Sequence, residues 1–401
     1  MITYGLLLFF GTVAVLASIY SYYLGMKFDD HVSISLNKRS LGFTPRTCVV
    51  MACKGDEPEL EKHVEAILNQ DYPNYRTIIV TDNAEDHAYF IVNSILSRHS
   101  GEDAHLYSSG DHPRASGKVA ALLTAIERDA GTSEAFAFVD SDASVPPGWL
   151  ADLVAPLVDD SVGATTGFRW YFPSRGGFWS HVESAWNASG SNLMFNERYN
   201  FPWGGAMAMR TEKMNAIDIQ TVWKDAISDD LSLNSALRNH GYRTIFLPQC
   251  TVATHNRATV RSFLTWAKRQ IALTRAFNRP LWRYGFAAYA FFSILMILAL
   301  ASLAAGLLSS PNWFIPSALL LTPSILGILR SSQRITTFKR AMPGHAQEFE
   351  KNRVADSIAS LIVPWIMTYC IIKSARMNEI EWRGRKYKLT DRTPCLTAKP
   401  S

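Results

Sequence analysis

The sequence predicts an α/β fold: a Rossmann-like domain with a mostly parallel sheet, joined to transmembrane helices. Three observations predict it. Between residues 47 and 142, apolar runs of strand type alternate with segments of helical spacing. Two of those runs end in carboxylates, at Asp82 and at Asp140-Ser141-Asp142. Uncharged stretches long enough for a bilayer occur at residues 2–24 and again at about 286–308.

The elements follow in order. Thr47 to Ala52 (TCVVMA) is a β-branched apolar run of strand type. Pro58 to Asn69 carries Leu60, Val64, Ile67 and Leu68 at helical spacing. Asp71-Tyr72-Pro73-Asn74 is a turn, and Arg76 to Val80 (RTIIV) is a second strand. Helices are expected over His87 to Arg98 and Gly117 to Arg128, the latter leading into the strand that carries Asp140 and Asp142. In open sheets of this kind ligands bind beyond the carboxyl ends of the strands, which is where Asp82, Asp140 and Asp142 fall.

The first apolar stretch lacks a basic n-region and is long for a signal peptide, so residues 1–25 read as an uncleaved anchor. Residues 45–280 read as the soluble α/β domain, 285–375 as C-terminal membrane segments and 376–401 as a basic tail. Two spans, at about 286–308 and 313–329, form a tight hairpin. A third late segment, 354–373, carries Asp356 and Pro364 and either spans or is re-entrant. Lys27, Lys38, Arg39 and Arg46 follow the first span, and Arg330, Arg334, Lys339 and Arg340 follow the hairpin. The positive-inside rule then puts the domain on the cytoplasmic side. The basic tail, with Arg383, Arg385, Lys386 and Lys388, would be outside if the last segment spans, and a cytoplasmic tail is the favoured reading.

A net charge of +5 is too small to imply nucleic-acid binding. Five scattered cysteines without a CxxC pair argue against a disulfide framework or a zinc site. The chemistry lies in the aspartates. Alternating carboxylates at a strand exit repel one another, and a divalent cation between them relieves this; hard oxygen ligands suit Mg2+ or Mn2+. A further carboxylate pair, Asp229-Asp230, opens a helical segment, where helix capping competes with a catalytic role.

Eight segments in order resemble the membrane-bound family-2 type glycosyltransferases of GT-A fold, within them the ceramide glucosyltransferase-like group. They are ACKGDEPELEKHVEAILNQDYPNY, TDNAEDHA, GKVAAL, FVDSDASVPPGWL, TGFRWYFP, FPWGGAMAMR, DAISDDLSLNSALRNHGY and WAKRQIALTRAF. The resemblance implies transfer of a single sugar, glucose from UDP-glucose in the first instance, to a hydroxyl of a membrane lipid such as ceramide, with inversion. It implies Asp82, Lys118, Asp140 and Arg269 on the donor, Asp140 and Asp142 on the metal, and Asp230 as catalytic base. Trp203, Gly204 and Gly205 match the acceptor-side segment. Each residue has a plainer alternative: Lys118 a solvated helix start, Trp203 a buried turn residue, Arg269 and Arg275 flanking charge beside a membrane. The chain departs from the processive synthases at the (Q/R)xxRW motif, where it reads Trp266-Ala267-Lys268-Arg269-Gln270. That puts processive β-polysaccharide synthesis in second place. An inactive membrane scaffold is a third reading, and the retained aspartates oppose it.

Overall fold

The structure is a computed structural model, and it describes residues 2–37, 42–110, 115–174 and 177–389, with the backbone of 395–396. Lys38 and Arg39, invoked above for orientation, and the side chain of Cys395 lie outside the described residues. The chain divides into two compact units. One comprises Met1–Ser33, Phe172–Asn192 and Asn256–Met377; the other comprises Ile34–Tyr171, Leu193–His255 and Asn378–Ser401.

The second unit is built on a seven-stranded sheet. Its strands are β1 (Thr47–Cys53), β2 (Tyr75–Thr81), β3 (Ala104–Ser108), β4 (Ala135–Asp140), β5 (Val162–Thr166), β7 (Ala206–Arg210) and β8 (Arg243–Phe246), with β6 (Arg169–Pro173) and β9 (Val252–Asn256) forming a separate two-stranded sheet. The order is β3-β2-β1-β4-β7-β5-β8. Strands β1 to β4 pair in parallel, and β7 alone runs antiparallel, between β4 and β5.

Six of the seven residues of β1 are buried, so the strand is covered on both faces, as its unbroken apolar run requires. Alternation sorts the side chains. Val49, Met51 and Cys53 join a core with Leu60, Val64, Val92 and Trp149, while Cys48 and Val50 join another with Val119, Leu122, Phe138 and Trp223. Trp170 and Trp223 are core residues, 2% and 0% exposed. Cys48, Cys53, Cys250 and Cys370 are free, buried thiols.

The helices of this unit start on side-chain caps. Asp86 accepts from Ala88 N for the helix His87–Arg98, and Ser116 accepts from Val119 N for Gly117–Asp129. A C-terminal hairpin, β10 (Glu379–Trp382) and β11 (Arg385–Lys388), also belongs here. Its two-residue turn, Arg383-Gly384, has positive φ at both positions, 47° and 78°, the geometry of the tightest hairpins.

The first unit is helical. Among the described residues, three helices are long and apolar enough to cross a membrane: Ile2–Leu36, Arg279–Leu308 and Pro311–Ala341. The last apolar region is broken, with Pro343–Ala359 and Val363–Ser374 meeting at a bend of 62°. Asp356 in that region is buried, and it is matched: His181 Nδ1 lies 2.6 Å from Asp356 Oδ1, and Ser184 Oγ donates to Oδ2 at 3.1 Å. Arg275 donates to the carbonyls of Ala375 and Met377, tying the helix Val260–Phe277 to the segment after Ser374.

Candidate active site

β4 delivers Asp140 at its last position, and the turn that follows delivers Asp142. Two carboxylates on one short turn offer the hard donor set a divalent cation takes. All four of their oxygens are engaged. Arg169 reaches Asp140 Oδ2 at 2.7 Å and Asp142 Oδ1 and Oδ2 at 2.6 and 2.7 Å. Lys118 Nζ lies 2.7 Å from Asp140 Oδ1. Arg169 was not anticipated from the sequence. Its signal is an arginine at the start of an otherwise apolar strand, between buried Phe168 and Trp170.

Lys118 stands in the first turn of its helix, where the cap on Ser116 fixes the backbone. It also reaches Asp229 Oδ2 at 2.9 Å and donates to Gly204 O at 3.1 Å. It is therefore no solvated lysine. Burial works to lower its pKa, but Asp140 and Asp229 outweigh burial and raise it. Burial likewise works to raise the pKa of Asp140, and Lys118 and Arg169 together hold it down.

Gly204 and Gly205 have a structural reason to be glycine. A Cβ on Gly204 would lie 2.0 Å from Asp229 Oδ2, and one on Gly205 would lie 2.1 Å from the Trp203 ring and 2.6 Å from Asp140 Oδ2. The backbone must pass this close to the carboxylates. Trp203 N donates to Thr166 Oγ1 at 2.8 Å, and its ring packs under the Arg169 guanidinium at 4.9 Å.

Asp229 and Asp230 open the helix Asp229–Asn239 behind the cap Ser228. Their roles differ. Asp229 is 3% exposed and pairs with Lys118. Asp230 accepts from Leu231 N at 2.7 Å and from Ser228 Oγ. Burial first, and the adjacent Asp229 second, push the Asp230 carboxyl up to about 6. A carboxylate near neutrality is suited to taking a proton.

Asp82 follows the end of β2 and pairs with Lys54 and, at 3.3 Å, with Arg385 of the hairpin. Arg383, two residues earlier in the hairpin turn, donates to Lys54 O at 2.7 Å and pairs with Glu57 at 3.1 Å. Burial, then the field of Asp142, raises the pKa of Glu57. Lys54, Glu57, Arg383 and Arg385 were not among the expected site residues, although Lys54 and Glu57 lie in the first of the matching segments and Arg383 and Arg385 in the basic tail.

The structure thus brings Asp82, Lys118, Asp140, Asp142, Trp203, Gly204, Gly205 and Asp230 into one unit. Arg269 belongs to the other unit, on the helix Val260–Phe277, along an open groove with Thr259, Arg261 and Trp266.

The charges fall into two groups. Among the described ion pairs, Lys118 and Arg169 are the partners of Asp140, Asp142 and Asp229, with Asp230 next to Asp229, so four carboxylates share two cations, a negative surplus. Asp82 alone faces both Lys54 and Arg385, a positive surplus. The first group suits a cation, the second an anion.

The family model described as Glycosyl transferase family 21 matches residues 9–394. Among solved structures, the chain is similar to the mannosyltransferase PcManGT from Pyrobaculum calidifontis, determined in complex with GDP-Man and Mn2+. The identity is 17%, the match covers 91% of this chain and 97% of that one, and the TM-score is 0.46.

Proposed function

The chain belongs to glycosyl transferase family 21, and from that premise we propose that it transfers a single sugar from a UDP-sugar to the hydroxyl of a membrane lipid, with inversion. Glucose is the proposed sugar, and ceramide or a related lipid the proposed acceptor. The observation that carries the reading is the pair of opposed charge surpluses beyond β2 and β4. A sugar nucleotide with a divalent cation has the complementary charges.

In this reading Asp82 accepts hydrogen bonds from the nucleoside, while Lys54 and Arg385 beside it offer cations to the phosphates. Asp140 and Asp142 hold Mg2+ or Mn2+. The bound ion would neutralise the diphosphate and make it a better leaving group. Asp230 takes the proton of the acceptor hydroxyl as its oxygen bonds to the anomeric carbon and the bond to UDP breaks. Lys118 holds Asp229 and Asp140 in place. Trp203 offers an aromatic face to the sugar, and Gly204-Gly205 leaves room beside it.

The proposed organisation is an anchor over residues 1–25, a catalytic domain over 45–280, membrane segments over 285–375 and a basic tail over 376–401. The catalytic domain and tail are placed on the cytoplasmic side. The hydrophobic helices would let a lipid acceptor approach from the bilayer.

The test is incubation of the detergent-purified protein with Mn2+, a membrane lipid extract and a panel of radiolabelled UDP-sugars. One organic-soluble labelled band is expected. Label in high-molecular-weight aqueous material would instead mean a polymer synthase, and no label with any donor would remove the reading.

A further inference from the structure

We propose that Arg169 is the resident counter-cation of Asp140 and Asp142 and competes with the divalent cation for them. The metal is then taken up together with the nucleotide and only weakly on its own. The inference rests on the proposed metal role of these two aspartates.

Arg169 is 8% exposed and spans both carboxylates with three contacts of 2.6 to 2.7 Å. Lys118 engages the remaining oxygen of Asp140. A metal ion therefore meets a resident cation at every carboxylate oxygen of the pair, and it binds against that cation's repulsion or by displacing it. The bidentate guanidinium on Asp142 is the tightest of the competing contacts. Arg169 is held from its other sides too: it donates to Tyr171 Oη at 3.1 Å, and it lies over the rings of Tyr171 and Trp203 at 5.4 and 4.9 Å.

A guanidinium displaced from its carboxylates is a buried charge without an anion, which is costly. A diphosphate is the anion that relieves this, because phosphate oxygens match the guanidinium fork as carboxylates do. Nucleotide and metal thereby favour each other's binding through one side chain, and the coupling must be reciprocal.

The experiment is a Mn2+ titration followed by the electron paramagnetic resonance signal of free Mn2+, on the full-length detergent-purified protein, with and without UDP. Wild type, Arg169→Gln, Arg169→Lys and Asp142→Asn are compared, and thermal melting identifies any variant that fails to fold. Wild type is expected to bind Mn2+ weakly alone and about tenfold or more tightly with UDP. Arg169→Gln is expected to bind tightly without UDP and to gain little from it. Arg169→Lys keeps the charge but cannot span both carboxylates, so it should fall between, and it decides the matter if the glutamine variant does not fold. Equal Mn2+ affinity of wild type and the Arg169 variants, with loss in Asp142→Asn, would overturn the role of Arg169 and leave the metal site standing. No Mn2+ binding by any of them with UDP present would overturn both.

Discussion

Lys118 pairs with Asp229 at 2.9 Å, while the next residue, Asp230, bonds to Ser228 and Leu231 instead. The ammonium is spent on one of two adjacent carboxylates, while burial and that neighbour raise the proton affinity of the other. That asymmetry is what a base requires, and it has consequences for pH.

Transfer should rise with pH through about 6, the value to which burial and Asp229 push Asp230. The sign follows from the base needing to be ionised before it takes a proton. For stability the sign is opposite. A raised carboxyl favours the folded state below its unfolded pKa of about 3.9, and that contribution is lost as pH rises through about 6. Asp230→Asn should cut transfer by about 10²- to 10⁴-fold and leave UDP binding intact. Transfer near the wild-type rate would remove Asp230 from the chemistry.

Replacing Lys118 by Met should move that acid limb to higher pH, because the lysine's charge lowers the pKa of Asp230. It also strips Asp229 and one oxygen of Asp140 of their cation. Breaking a buried pair of this kind costs about 3–5 kcal/mol, so the melting temperature should fall as well. An unshifted pH profile in a folded Lys118→Met protein would contradict the electrostatic link.

Gly204→Ala places a methyl group 2.0 Å from Asp229 Oδ2. The carboxylate or the backbone must move, at about 1–3 kcal/mol. Loss of transfer out of proportion to loss of stability is expected, read by comparing turnover with melting temperature. A variant with wild-type turnover would show that the close approach of this backbone is dispensable.

Arg385→Ala removes one of the two cations on Asp82 and leaves Lys54 in place. UDP affinity measured by calorimetry should fall about tenfold, in line with loss of one charge-assisted hydrogen bond. Lys386→Ala on the same strand, whose side chain faces away by alternation, serves as the control. Equal effects of the two would mean that the hairpin acts only through its net charge.

Much of the fold was legible because the strands of a parallel sheet are buried on both faces and so appear as unbroken apolar runs. The runs at 47–52 and 76–80, and the helix 87–98, fall within a residue of β1, β2 and His87–Arg98. β3, with all five residues half-buried, and the antiparallel β7 carry weaker patterns and were not anticipated. Asp82, Lys118, Asp140, Asp142 and Asp230 were visible as charges where packing asks for none. Their roles on substrate are proposals; the ion pairs place Asp82, Lys118, Asp140 and Asp142 among charged partners, and Asp230 is held by Ser228 and Leu231 beside Asp229. The partners of Arg169 and Arg385 were not foreseen because each is a long side chain whose target lies far along the chain: Arg169 meets Asp140 and Asp142 across a turn of the fold, and Arg385 meets Asp82 across some three hundred residues. Sequence spacing holds no trace of such contacts. The wide helix Ile2–Leu36 also outruns the uncharged stretch that predicted it, since nothing in the residues from Met26 to Leu36 stops a helix.

The unit that holds the carboxylates is assembled from three separated stretches of chain, and the last of them begins at Asn378, after every hydrophobic helix. During synthesis, the ribosome must therefore deliver all of those helices before Arg385 exists to meet Asp82. A stalled or prematurely terminated chain ending upstream of Asn378 would carry the aspartates without that partner. Biogenesis thus orders events: the hydrophobic helices are made first, and the Asp82–Arg385 ion pair closes last.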